Sequence, residues 1–273
     1  MRPSSVSQDS QRGSPSKEEQ QGSWEHVARW YDSLAAHRGT DFHQAVIIPG
    51  VLRLLEIKRG ERVLDMACGQ GVVSRALAKA GAEVTGVDLS PSLVRAARER
   101  SGKAARYLVG DARDLRQVLP EAGVFDTAVC ALAVENIDPV EPVFAECSRL
   151  LRTGGRLVVV TVHPAFRIPR QSNWGWDESQ QQMFRAVNLY LSLMRIPIEL
   201  HPFRPTERRQ VTWTYHRPIQ AYIGGLARAG LWVNALEEWP SHRESQPGPR
   251  AKAENRARQE FPLFLVLRAV KVG

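Results

Sequence analysis

An open α/β sheet, with its ligand crevice beyond the carboxyl ends of the strands, is the fold class this sequence predicts. Three observations carry it. Val63-Leu64-Asp65-Met66-Ala67-Cys68-Gly69-Gln70-Gly71 is an apolar run that ends at an acid and enters a small-residue loop, and residues 72–80 then read as a helix. Residues 83–88 form a second such run ending in Asp88, about 20 residues past the loop. Further short apolar runs follow at 107–109, 125–132 and, after the Gly154-Gly155 turn, 156–161. Glycines at 69 and 71 let the chain turn tightly and approach a ligand without a Cβ in the way.

The elements follow in order. Residues 1–22 are Ser/Gln-rich, nearly free of large apolar groups, and expected to be disordered. Residues 24–36 read as a helix, with Trp24, Val27, Trp30, Tyr31 and Leu34 at helical spacing, and residues 41–56 as an amphipathic helix broken near Pro49-Gly50. His43 is expected to face solvent there. Together 23–60 form an N-terminal helical segment before a core at 61–166. Within the core, Ser90-Pro91 reads as an N-cap with proline at the first helical position. Residues 114–118 read as a short helix, 120–123 as a turn and 139–151 as a helix. Asn136 is read either as a ligand-orienting amide or as a cap for that last helix.

Residues 167–217 depart from a minimal sheet. Residues 173–177 read as an aromatic loop carrying Trp174 and Trp176. Residues 178–194 read as a helix with Met183, Val187, Tyr190, Leu191 and Met194 on one stripe. The prolines at 197, 202 and 205 mark irregular chain, and 211–216 alternates like a strand. From 218 to 273 the pattern gives a helix to about 230, a strand at 231–236, a polar excursion at 241–260 and a closing strand at 261–270.

These motifs resemble the class I S-adenosylmethionine-dependent methyltransferases of the small-molecule type, the type 11-like group, from about residue 24 to 163 and more loosely to the C-terminus. Asp65 to Gly71 matches the family's acid-x-Gly-x-Gly-x-Gly loop with Ala67 in place of the first glycine; alanine there is expected to need only a negative φ. The resemblance implies a Rossmann-like, seven-stranded sheet with an antiparallel last strand and an inserted substrate cover at 167–217. It implies S-adenosyl-L-methionine as cofactor. Asp65, Ala67, Cys68, Gly69 and Gly71 would form its loop, Asp88 and Leu89 its ribose site, and Asp111 and Ala112 its adenine site. Ala131 would lie at the end of strand four, and Tyr31 in a lid over the methionine end. Asn136, Trp174, Trp176, Tyr190 and Tyr215 are the candidate acceptor walls. His163, just past strand five, is the first candidate base because an imidazole titrates near neutral pH, and His216 is the second.

The rival for such a loop is a dinucleotide oxidoreductase. Its Gly-x-Gly-x-x-Gly pattern frees helix N–H groups for a pyrophosphate; here Val72, Val73 and Ser74 follow Gly71 and the third glycine is missing. The net charge of +8 raises the question of nucleic acid. The arginines are dispersed, however, and the Asn-Pro-Pro-aromatic pattern of amino-methylating nucleic-acid enzymes is absent, which disfavours an RNA or protein methyltransferase. An acidic small-molecule acceptor is the reading to test next. A catalytically silent cofactor-binding subunit is the other alternative. Cys68, Cys130 and Cys147 show no metal spacing and suit a reduced, cytoplasmic protein, and no apolar run approaches a membrane span. A monomer and a homodimer are both compatible with the sequence.

Overall fold

A computed structural model describes residues 24–25, 27–28, 39–200 and 210–273. The sheet grows from five parallel strands: β1 (Arg62–Met66), β2 (Glu83–Asp88), β3 (Ala105–Val109), β4 (Phe125–Ala131) and β5 (Leu151–Val162). The stretch beyond them holds two hairpins, β6 (Ser172–Asp177) with β7 (Gln182–Val187) and β8 (Met194–Leu200) with β9 (Gln210–His216). Two more strands, β10 (Leu231–Trp239) and β11 (Phe264–Lys271), complete a seven-stranded sheet in the order β10-β11-β5-β4-β1-β2-β3. β11 runs antiparallel to both β5 and β10, as expected of the last strand. β1 has β2 on one side and β4 on the other, so the order reverses there and a crevice opens beyond their carboxyl ends.

Helices α1 (Ile48–Leu55), α2 (Val72–Lys79), α3 (Pro91–Ser101), α4 (Glu141–Leu150), α5 (Ile219–Arg228) and α6 (Ala251–Glu260) flank or follow the strands. The two-residue period of the strands divides the core between the sheet faces. Leu64, Ala128, Cys130, Leu157, Val159, Leu265 and Leu267 pack with Phe144 of α4 and Leu226 of α5. Val63, Val129, Val158, Val160 and Val266 pack on the other face with Val51, Leu55 and Leu77. Ser90 caps α3 as expected, its Oγ accepting from Leu93 N at 3.2 Å.

Three local expectations are corrected. Residues 178–194 are not a helix. They turn through β7, because Asp177 accepts from Ser179 and Gln180 N–H groups and sets a tight turn, and because Gly175 leaves room for the ring of Phe184 across the hairpin. Chain 41–55 is not broken at Pro49-Gly50. A π-helical turn at His43–Ile47, with Ile48 N donating to His43 O, runs straight into the helix, and Pro49 falls in that helix's first turn, where its missing N–H is tolerated. Residues 114–118 are not a short helix: Asp114 forms an isolated bridge with Asp111 and 116–118 a turn. Among the described residues no helix is long and apolar enough to cross a membrane.

Candidate active site

The site begins where β1 meets its loop. Asp65 is buried and accepts from Ser74 Oγ at 2.5 Å. Burial pushes its carboxyl up to about 7; the Ser74 bond opposes this and the nearby charge of Asp88 adds to it. Ala67 takes φ +53°, so the expected negative φ is wrong. The loop holds a left-handed residue at 67, and alanine sits there under strain because its Cβ crowds the backbone. Gly71 also has positive φ, but its missing Cβ makes room for Tyr107, whose hydroxyl would lie 2.5 Å from it. Gly71 therefore serves packing and does not line the cavity, whereas Ala67, Cys68, Gly69 and Gln70 do.

Asp88, at the end of β2, accepts from Gly69 N at 2.8 Å and Ser90 N at 2.9 Å. Burial pushes its carboxyl up against the pull of those donors. It thus organises the loop and lines the cavity beside Leu89. Asp111 is clamped by Arg113, Nη2 to Oδ2 at 2.8 Å, and with Ala112 forms the far wall. Glu25 accepts from the hydroxyls of Ser90 and Ser92 and pins the N-terminal segment to the start of α3. Burial raises its carboxyl, but those bonds outweigh it and hold the group below the usual range.

These groups border a cavity of about 380 Å³ that reaches from Asp111 past the ends of β1 and β4 to Phe264. Its second half is apolar, with Phe42, Leu132, Leu263 and Phe264, and it contains His43. The solvent-facing expectation for His43 is wrong: the π-turn carries it inward to 7% exposure. Thr40 Oγ1 lies 2.9 Å and Thr40 N 3.3 Å from its Nδ1, and no partner occupies Nε2 among the described residues. Burial keeps its pKa below the ordinary 6.5. Leu132, at φ +54°, is a second strained residue on the same wall. Ala131 and Asn136 also line the cavity. Asn136 Nδ2 donates to Leu132 O at 3.3 Å, and it does not cap α4, whose N-cap is Val140.

The structure does not bring the other candidates to this cavity. His163 is 1% exposed; its Nε2 bonds Glu238 Oε1 on β10 at 2.6 Å and its Nδ1 accepts from Ala165 N in the turn after β5 at 3.2 Å, so both nitrogens are occupied. Burial lowers its pKa against the pull of Glu238. His216 Nε2 bonds Tyr190 O at 2.8 Å, and Tyr190 Oη accepts from Ile219 N. Tyr215 is buried under Arg217, which pairs with Asp138. Trp174 stands edge-on to Phe261, and Trp176 lies beneath Arg250. None of these six lines the cavity. Tyr31 lies outside the described residues.

Sequence reading missed Glu25, His43 and Gln70. Gln70 is 1% exposed, lines the cavity, and has no partner for either amide atom. An amide buried without partners is costly unless a ligand supplies them, and its place inside the loop motif was the available signal.

The comparisons with known proteins agree with this geometry. Residues 64–159 match the methyltransferase domain family. The ubiquinone biosynthesis O-methyltransferase of Xanthomonas euvesicatoria pv. vesicatoria is 35% identical over 138 residues, 50% of this chain and 56% of that protein. A protein of the same name from Coxiella burnetii is 33% identical over 109 residues, 40% of this chain and 47% of its own. The match thus spans about half the length of these relatives. An S-adenosylmethionine-dependent methyltransferase structure from Mesorhizobium loti has a TM-score of 0.63 at 24% identity, covering 81% of this chain and 96% of that one. One described as a putative enzyme of that type, from Listeria monocytogenes, gives 0.61 at 22%, covering 82% and 99%. The fold is like that of the class I S-adenosylmethionine-dependent methyltransferases, and residues 64–159 match the methyltransferase-domain family.

Proposed function

We propose that this protein transfers a methyl group from S-adenosylmethionine to a small-molecule acceptor. The observation that carries the reading is the single cavity in which Asp65, Asp88, Asp111 and the unpartnered Gln70 amide meet an apolar half containing His43. The residues present fit the cofactor. Asp88 would hold the ribose hydroxyls, Asp111 and Ala112 the adenine, and Asp65, Gly69 and Gln70 the amino-acid end. When bound, the cofactor supplies an electrophilic sulfonium methyl.

The chain's own work is alignment and exclusion of water. Phe42, Leu132, Leu263 and Phe264 would orient an acceptor against the cofactor half and strip water from its nucleophile. An acceptor that arrives protonated needs a base. His43 as placed is a donor rather than that base: Thr40 N donates to its Nδ1, so the ring, kept neutral at pH 7 by burial, carries its proton on Nε2 and would offer the acceptor an orienting hydrogen bond. The hairpin of β8 and β9 supports a cover role for 167–217, since Thr214 Oγ1 donates to Glu135 O at 3.2 Å beside Asn136. Glu25 supports a docked N-terminal lid.

The test is calorimetric titration with S-adenosylhomocysteine, followed by a screen of small hydroxylated acceptors for methyl transfer. Failure to bind S-adenosylhomocysteine would refute the reading. Binding without transfer to any acceptor would favour a silent cofactor-binding subunit.

A further inference from the structure

A second polar feature lies at the same edge of the sheet. Arg167, just after β5, and Arg185 on β7 lie against one aromatic ring, and the charge of Arg258 on α6 is felt at Arg167. The guanidinium carbons of Arg167 and Arg185 lie 5.4 and 5.0 Å from the Trp174 ring centroid. That ring meets Phe261 edge-on at 5.4 Å, and Phe261 meets Phe166 at 5.5 Å. All three arginines are half-buried.

Their hydrogen bonds go to neutral oxygens. Arg185 Nε donates to Phe166 O at 2.7 Å and its Nη2 to Ser172 Oγ at 2.8 Å, while Arg258 Nε donates to Ser245 Oγ at 3.1 Å. Arg167 Nη2 reaches only Phe261 O, at 3.5 Å, and its Nε is buried with no partner. Among the described residues none of the three has a carboxylate within ion-pair distance. Glu238 is committed to His163, and Glu178 to Arg250. Burial, with the charges of Arg185 and Arg258, lowers the Arg167 guanidinium to about 10, so it stays cationic at neutral pH. Gathering cations out of water without a counter-charge is unfavourable, and guanidinium forks match carboxylate and phosphate oxygens. Arg167 follows the end of β5 by five residues, and Val162 at that end pairs with Phe264, which lines the cavity.

We propose that Arg167, Arg185 and Arg258 form a subsite for an anionic group, carboxylate or phosphate, carried by the acceptor and held beside the Phe264 wall. This rests on the acceptor reading above. The full chain should be titrated with inorganic phosphate, benzoate and uncharged benzamide, with S-adenosylhomocysteine in parallel. Saturable binding of phosphate or of benzoate, but not of benzamide, is expected, and whichever anion binds names the group. The R167Q and R258Q variants should each weaken that binding at least tenfold and leave S-adenosylhomocysteine affinity unchanged. R258Q, on a surface helix, serves if R167Q does not fold. No saturable anion binding, or binding unchanged in both variants, would overturn the subsite. An RNA oligomer held more tightly than either anion, and lost in the same variants, would overturn the small-acceptor assignment. Anion binding without S-adenosylhomocysteine binding would leave the subsite standing and refute only methyl transfer.

Discussion

The raised carboxyl of Asp65 gives a measurable proton linkage to cofactor binding. In the free protein Asp65 titrates at about 7, because burial disfavours its charge more than the Ser74 bond favours it. Folding therefore disfavours the ionised form, and this group lowers stability as pH rises from 3.8 towards about 7. A ligand ammonium beside Asp65 reverses that preference, so binding of S-adenosylhomocysteine should demand the ionised carboxylate. With a midpoint near 7, about half of the protein is competent at pH 7.0 and about 3% at pH 5.5, a difference of about 16-fold, or about 1.6 kcal/mol. Calorimetry across that interval should show affinity rising with pH. Repeating it in buffers of different ionisation enthalpy should show release of a fraction of a proton. Ser74→Ala removes the bond that favours the charged form and should move the inflection upward. Flat affinity from pH 5.5 to 7.0, with no dependence on buffer, would refute the argument.

Other expectations follow from the same geometry. Ala67→Gly should relieve a left-handed alanine; a strain of about 1–2 kcal/mol, less the entropy of glycine, leaves a gain of about 0.5–1 kcal/mol, visible as a Tm rise of about 1–4 °C. Gly86→Ala would place a Cβ 2.7 Å from the Tyr107 ring and 2.9 Å from Cys68 Sγ, and should lower stability by about 1–3 kcal/mol in denaturant unfolding. Asp88→Ala should weaken S-adenosylhomocysteine by about 1.5–3 kcal/mol; wild-type affinity in that variant would end the ribose assignment. His43→Ala should slow turnover about 2–12-fold, the worth of one orienting hydrogen bond, with cofactor affinity intact.

The parts of the protein legible in the sequence are those where one short motif fixes both backbone and ligand chemistry. Asp65 and Asp88 sit at strand ends because the apolar run must stop where the chain leaves the sheet, and the loop residues after Asp65 fall in the cavity for the same reason. His43 was misread because an amphipathic pattern assumes a regular 3.6-residue period, and the π-turn rotates one residue across the face. Residues 178–194 were misread because an apolar stripe of that length fits either a helix or a hairpin, and the deciding bonds come from the Asp177 side chain. Nearness in sequence is what puts His163, Trp174 and Trp176 at the site, and 173–177 is strand β6 rather than the expected aromatic loop. Their partners Glu238, Phe261 and Arg250 come from 74 or more residues away, beyond the reach of any local pattern.

The central claim is that the cavity between the ends of β1, β2 and β4 holds S-adenosylmethionine. Titration of the purified chain with S-adenosylhomocysteine and, separately, with NADH tests it most directly. Saturable binding of the first alone, lost in Asp88→Ala, is the expected result. Binding of NADH in its place would contradict the account and make the loop after Asp65 a dinucleotide site.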